Sequence, residues 1–181
     1  MRAKSFSGMN CSVAGAVEMI GDRWGFLLMR DLMFGLARYE EFQTSCDIPA
    51  QTLSDRLRHF EAAGLVERRR YQKHPPRHEY ALTPKGRDFW IVLTALREWG
   101  DRWGAHGTTA PPLHMLDSRS GNPLKLALVD AKSQRPVGAE RVRLEAGRGA
   151  DAQMRFRLER GANRNSMRAP DSPPLGKERP I

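Results

Sequence analysis

The sequence has no long apolar run and few cysteines, and each absence excludes a class of protein. No apolar run in the 181 residues reaches the roughly 18 residues of a membrane span. The N-terminus lacks the apolar core of a signal peptide. Two cysteines are too few for a disulfide framework. We therefore expect a cytoplasmic protein with no membrane partner.

Signatures of catalysis and of metal binding are also missing. The sequence contains no glycine-rich phosphate loop and no nucleophile elbow. Its five histidines show no paired metal-ligand spacing, apart from His74 and His78. These two lie in a basic segment that suits DNA better than a metal ion. We therefore expect no enzyme activity, no cofactor and no metal site.

Positive charge, in contrast, is in excess. The net charge is +9 and the pI is about 10.2, which favours an anionic partner such as nucleic acid. The excess is uneven, because residues 1–107 carry a net charge of +3 and residues 108–181 carry +6. Much of the charge therefore lies in a C-terminal part where it could serve solubility alone.

Residues 48–63 have the pattern of a helix that could lie in a DNA groove. Pro49 suits a first helical position, Gly64 suits a left-handed C-terminal cap, and apolar residues recur between them at helical spacing. The opposite face carries groups that can bond to base edges and phosphates. These residues are Gln51, Thr52, Asp55, Arg56, Arg58 and His59. Taken alone, such a pattern is more typical of an ordinary surface helix.

The flanking segments favour DNA binding over an ordinary surface helix. Residues 39–43 predict a short helix and residues 45–47 a turn, which complete a helix-turn-helix. Residues 65–71 and 78–82 predict two strands, joined by a basic turn at 72–77 whose two prolines cannot continue a strand pairing. Together these segments predict a winged helix-turn-helix.

Two further helices are strongly apolar. The helix after Asp22 is apolar almost all round, so it should be the buried centre of the domain, with Trp24 in the core. Another helix should start at 83–84, a cap followed by proline, and run to about Trp103. Its apolar surface exceeds what one small domain can cover, so we predict a homodimer. The alternative is packing within the monomer, for example against residues 111–160.

The expected fold class is α+β, mainly α: a winged helix-turn-helix with a long C-terminal dimerisation helix, followed by a small β-rich extension. Short alternating segments such as 124–129 and 154–158 are the basis for the β-rich assignment. The expected parts are a flexible arm (1–10), a DNA-binding and dimerisation domain (11–107), the β-rich extension (108–160) and a disordered tail (161–181).

Several short motifs occur in one order across residues 10–107 and show a family resemblance. They are CSVA (11–14), GDRW (21–24), RYEEF (38–42), LSDRL (53–57), AGLV (63–66), PPRHEY (75–80) and LTPKG (82–86). In these motifs the chain resembles the HxlR-type transcriptional regulators. The resemblance implies a bacterial winged helix-turn-helix homodimer that binds operator DNA and regulates nearby genes. It also implies a dimer built mainly from the first and last helices of the domain.

The resemblance also implies roles for individual residues. The DNA-facing positions would be Arg38, Gln51, Thr52, Ser54, Asp55, Arg56 and Arg58, with Lys73, His74, Arg77 and His78 in the wing. The residues expected at the dimer interface are Val13, Val17, Phe89, Val92, Leu96, Trp99 and Trp103. Arg56 could instead pair with a nearby acid and hold the fold.

The C-terminal extension departs from one version of the family pattern. In some relatives this region resembles a zinc ribbon with paired cysteines. Here the corresponding residues 118–121 and 129–133 contain no cysteine. Four-coordinate structural zinc needs sulfur or imidazole ligands, and His114 alone cannot supply them. We therefore predict no zinc in this region.

Cys11 matches the cysteine that redox- or electrophile-sensing members of the family use. A thiol near the start of a helix can have a lowered pKa and react as thiolate. The alternative is that Cys11 is simply a small buried residue. Cys46, in the turn before the recognition helix, is expected to belong to the core.

The predicted function is a regulator that binds an inverted-repeat operator in double-stranded DNA as a homodimer. Its recognition helix (about 49–63) would lie in the major groove, and its wing (about 66–82) on the backbone or minor groove. Thiol modification or a small-molecule or electrophile inducer would switch it. The alternatives are a general or architectural nucleic-acid-binding protein, and a protein-interaction scaffold that binds no DNA.

Overall fold

The computed structural model describes residues 5–108 and 110–167, which are mainly helical with one two-stranded sheet. This agrees with the expected fold class. The elements are α1 (Ser12–Ile20), α2 (Arg23–Met33), α3 (Tyr39–Cys46), α4 (Ala50–Ala62), β1 (Val66–Gln72), β2 (Arg77–Leu82), α5 (Pro84–Asp88), α6 (Trp90–Arg102), a 3₁₀ turn (Ala139–Arg141) and α7 (Ala152–Met167). None of the helices in these ranges is long and apolar enough to cross a membrane.

Helix α2 is the buried centre of the domain, as its sequence predicts. Asp22 caps it, because its carboxylate accepts from the backbone N–H groups of Trp24 (3.0 Å) and Gly25 (3.2 Å). The core around α2 consists of apolar side chains from α1 to β1: Ile20, Leu28, Met29, Leu32, Phe42, Ile48, Leu53, Leu57, Phe60, Leu65 and Val66. Trp24 is partly buried and packs against this core.

A buried carboxylate joins α2 to α3. Asp31 is only 1% exposed, and it accepts from the guanidinium of Arg30 at 2.7 and 2.8 Å. The Cys46 thiol donates to its other oxygen at 3.1 Å. Burial and this bond to Asp31 raise the pKa of the Cys46 thiol. Cys46 is therefore a partly buried residue that packs against the core, close to its expected place in it.

The wing is the antiparallel pair β1–β2, whose register runs from Val66 opposite Leu82 to Arg70 opposite His78. A bulge follows Arg70. Residues 37–38 lie along β2 and form an isolated bridge that the sequence did not predict, because two residues show no alternation. Arg38 forms a bridge with Glu79, and the Tyr80 N–H donates to the Ala37 carbonyl at 2.7 Å. The start of α3 is thereby fixed to the wing.

Two helix boundaries differ from the sequence prediction. Helix α3 continues through Cys46, and Asp47 then adopts a left-handed conformation (φ 51°), so Pro49 precedes α4 instead of starting it. The helix expected from 83 to 103 divides at Phe89 into α5 and α6. At this point the backbone makes a 3₁₀-type turn, in which the Phe89 N–H donates to the carbonyl of Gly86, three residues earlier (3.2 Å).

The extension corrects the expectation of a β-rich module. In the described part of residues 108–160, pairing is limited to two isolated bridges, Leu116–Pro123 and Val129–Pro136. Helix α7 covers the strand expected at 154–158 and the start of the expected disordered tail. The Asp151 carboxylate caps it by accepting from the Met154 N–H at 2.7 Å, and residues 151–160 include no β-branched side chain. The rest of that tail, 168–181, lies outside the described residues.

Candidate nucleic-acid interface

The outer face of α4 presents a connected group of hydrogen-bonding side chains. Gln51, Asp55 and Arg58 are exposed and lie on successive turns. The Asp55 carboxylate accepts from the Gln51 amide at 3.1 Å and from the Arg58 guanidinium at 2.6 Å. Arg58 also donates through Nε to the Ser54 carbonyl at 3.3 Å. Three of the predicted DNA-facing residues therefore form one group on one surface, and Thr52 is half-buried beside them.

Ser54 has a different position from these three, because it faces α3. The Tyr39 hydroxyl donates to the Ala50 carbonyl at 2.6 Å and lies 3.1 Å from the Ser54 hydroxyl. Tyr39 thus fixes the first turn of α4 to the start of α3. Tyr39 could not be selected from the sequence, since nothing in the pattern distinguishes this contact from ordinary core packing.

Arg56 lies on the flank of α4 that faces the junction of α1 and α2. Its guanidinium is 3.4 Å from the Asp22 carboxylate, and its side chain is largely buried. His59 lies on the same flank, where Nε2 donates to the carbonyls of Glu18 (3.0 Å) and Met19 (2.9 Å) at the end of α1. Of the two roles considered for Arg56, the structure supports the one that holds the fold. The junction of α1 and α2 thereby sets the orientation of α4.

The wing brings cations close to the start of α3. A cleft of about 360 Å³ lies between them, lined by Tyr39, Glu40, Arg68, Tyr71, Arg77, His78 and Tyr80. The Arg68 guanidinium is 3.0 Å from His78 Nδ1. The Arg38 guanidinium stacks over the Tyr71 ring at 4.7 Å. Lys73 and His74 are exposed at the tip, away from these lining residues. The sequence did not single out Arg68 from Arg69 and Arg70, which alternate sides along the strand. It did not indicate Tyr71 either, because the bulge after Arg70 changes which strand residues share a face.

Exposed apolar side chains cover α1 and α6. Val13, Val17, Val92, Leu96, Trp99 and Trp103 are exposed, as are Trp90 and Ile91. Phe89 is the exception among the predicted interface residues. It is partly buried, and its ring centroid lies 5.9 Å from that of Phe26, so it belongs to the core of one chain.

Cys11 precedes the first residue of α1 as its N-cap. The backbone N–H groups of Ala14 and Val13, at the start of α1, lower the pKa of the Cys11 thiol. This direction is opposite to that of Cys46. Elsewhere in residues 5–108 and 110–167, no group of three or more His, Cys, Asp or Glu side chains is arranged to hold a metal ion.

Comparisons with known proteins match this architecture. Residues 19–108 fit the family described as HxlR-like helix-turn-helix. The HTH-type transcriptional regulator Rv3095 of Mycobacterium tuberculosis is 34% identical over 143 residues, which cover 79% of this chain and 90% of that protein. The chain belongs to the HxlR-like helix-turn-helix family. Relatives of the chain are named as HTH-type transcriptional regulators, a class of proteins that bind DNA and are not enzymes. This HxlR-like protein is therefore a DNA-binding regulator and not an enzyme.

Two solved structures are similar over more than the helix-turn-helix domain. The crystal structure of PA1607 is 31% identical with a TM-score of 0.66, and the match covers 80% of this chain and all of that one. The structure of PA1374 from Pseudomonas aeruginosa is 37% identical with a TM-score of 0.56, and the match covers 82% of this chain and all of that one. The family match ends at residue 108, and both structures match more of the chain than residues 1–108 contain. The similarity in both cases therefore continues into the extension.

Proposed function

We propose that the HxlR-like protein binds operator DNA sequence-specifically, with α4 in the major groove and the wing on the backbone or minor groove. The observation that carries this proposal is the exposed group of Gln51, Asp55 and Arg58 on α4. Cations of the wing, which line the cleft at the start of α3, add to it. Arginine pairs with guanine, glutamine with adenine and aspartate with cytosine in the major groove. In this proposal Arg38, Arg68, Arg77 and His78, which lie in or near the cleft beside the wing, contact the flanking phosphates.

We further propose that the protein acts as a homodimer on an inverted repeat. Support comes from the apolar faces of α1 and α6, which the described chain leaves exposed. A two-fold dimer presents two recognition helices to half-sites roughly 34 Å apart, or a multiple of that. In this proposal residues 11–107 form the DNA-binding and dimerisation domain, preceded by an arm (1–10) and followed by the extension (108–160).

The first prediction concerns Arg58 and Arg77 in a gel shift and footprint on DNA upstream of the protein's own gene. At about 150 mM salt with excess competitor, the wild type should protect an inverted repeat. Arg58→Ala should weaken operator binding by roughly 5- to 150-fold, because it removes a base contact of about 1–3 kcal/mol. Arg77→Ala should weaken binding to operator and to other DNA alike, because it removes a phosphate contact.

The matched control is Arg155→Ala, which removes an exposed arginine from α7 and should leave operator binding unchanged. A sequence-specific regulator should prefer its operator over competitor by about 10³-fold or more. If competitor removes all binding from every genomic fragment, the protein is a general nucleic-acid-binding protein and the proposal fails.

We propose that modification of Cys11 switches this regulator. The thiolate would add to a ring carbon of a quinone, forming a C–S bond, and the quinone would take up a proton and become a hydroquinone. Cys11 lies at the start of α1, next to the exposed Val13 of the proposed dimer interface. An adduct there would alter the packing of two copies and hence the spacing of their recognition helices.

The second prediction concerns the pH dependence of this reaction. Because the pKa of Cys11 is lowered and that of Cys46 is raised, Cys11 should form thiolate at lower pH. At pH 7 iodoacetamide should therefore label Cys11 several-fold faster than Cys46. The labelling rate of Cys11 should rise with pH, and the midpoint of this rise should lie below the ordinary thiol pKa of about 8.5. Mass spectrometry of the labelled peptides measures both rates.

The same chemistry should be visible on DNA. A quinone should weaken operator binding by the wild type and leave Cys11→Ser unaffected, whereas Cys46→Ser should respond as the wild type does. An unchanged quinone response in Cys11→Ser would remove Cys11 from the mechanism.

A further inference from the structure

We infer that Asp55 determines specificity by holding Arg58 away from phosphates on the wrong DNA. This inference rests on the proposed function, because it concerns how the outer face of α4 distinguishes an operator from other sequences. It assigns Asp55 a role beyond a base contact. The carboxylate would act against non-operator DNA as well as for the operator.

The geometry shows Asp55 at the centre of the outer face of α4. Its Oδ1 accepts from Gln51 Nε2 at 3.1 Å and from Arg58 Nη2 at 2.6 Å. Arg58 Nε is also engaged, with the Ser54 carbonyl at 3.3 Å. In the free protein, therefore, two nitrogens of the Arg58 guanidinium, Nη2 and Nε, are already bonded to other residues of α4. This is the group that would contact DNA.

Exposure makes this arrangement easy to rearrange. The side chains of Arg58 and Asp55 are 70% and 50% exposed, so water screens their attraction and the pair adds little to stability. Gln51 is exposed as well. The group is thus a set of contacts that DNA can replace, and it is not needed to hold the fold.

Charge then decides which DNA can replace these contacts. A phosphate that approaches Arg58 also approaches Asp55, and the carboxylate repels it and competes for the same guanidinium. A cytosine amino group can donate to Asp55 while Arg58 contacts a guanine or a phosphate, which satisfies all partners at once. Only a matching sequence therefore compensates the broken pair, and other sequences leave a carboxylate facing phosphates.

The test is Asp55→Asn in the full chain, with affinity measured for the operator and for random-sequence DNA at about 150 mM salt. Asparagine keeps the size of the side chain and removes its charge. Affinity for random DNA should rise roughly fivefold, the scale of one exposed ion pair. Operator affinity should stay level or fall, so the ratio of the two affinities should drop by roughly fivefold or more.

Two further variants separate this role from a change in net charge. Glu61→Gln removes an exposed carboxylate from the same helix, and it should raise both affinities by the same small factor. In an Arg58→Ala background, Asp55→Asn should raise random-DNA affinity by a smaller factor than it does with Arg58 present, since only the repulsion of phosphates is then removed and no guanidinium is released.

The outcomes are distinct. Equal shifts of both affinities in Asp55→Asn, or no shift in either, would overturn the role of Asp55. Failure of the proposed function would instead appear in the wild type, as the absence of any preferred operator.

Discussion

Replacing Trp99 with aspartate is expected to convert the protein to a monomer and to abolish tight operator binding. Trp99 is 61% exposed on α6, at the centre of the proposed interface with Leu96 and Trp103. In a two-fold dimer the change occurs twice, so a loss of about 2 kcal/mol per side weakens association by roughly 10³-fold. Sedimentation equilibrium at micromolar concentration measures the mass. Operator affinity should fall by about 10²-fold or more, because each half-site then binds alone.

The control for this change is Phe34→Asp. Phe34 is 59% exposed at the end of α2, so the replacement removes a similar aromatic surface outside α1 and α6. It should remain dimeric and keep its operator affinity. Circular dichroism should show the same helix content in both variants. A dimeric Trp99→Asp with normal affinity would show that the two copies associate through another surface.

The elements that position α4 were largely predictable, because their signals are local and repeated. Helical spacing of apolar residues located α2 and α4, and paired prolines located the wing tip between two strands. These patterns depend on which side of an element is buried, and one core satisfies all of them. The same reasoning failed for the extension, where no residue described from 104 to 162 is buried and local capping determines the structure instead.

The individual roles on α4 were less predictable, because they depend on neighbours that are distant in sequence. Arg56 and Arg58 are two residues apart with the same chemistry, yet one contacts Asp22 and the other Asp55. Their roles differ because Arg56 faces the α1–α2 junction and Arg58 does not. Phe89 likewise looked like an interface residue by spacing, and it packs on Phe26 within the chain.

The second large expected effect is a loss of stability in Gly25→Ala, a change at the junction of α1 and α2. The start of α2 passes so close to the end of α1 that an added Cβ would overlap the Ile20 carbonyl oxygen. The short connection at 21–22 leaves α1 little room to move. We expect a loss of about 3 kcal/mol, at the upper end for overpacking. The melting temperature, followed by circular dichroism, should fall by roughly 10 °C or more.

The effect should reach DNA binding, because the carbonyls of Glu18 and Met19 at the end of α1 accept from His59 of α4. Displacing α1 disturbs those bonds and the pairing of Arg56 with Asp22, so operator affinity should fall even well below the melting temperature. Gly15→Ala is the matched control. Gly15 lies inside α1 with nothing near an added Cβ, so alanine there should stabilise by about 0.5–1 kcal/mol. Equal melting temperatures for Gly25→Ala and the wild type would show that the two helices can separate at little cost, and that the junction does not fix α4.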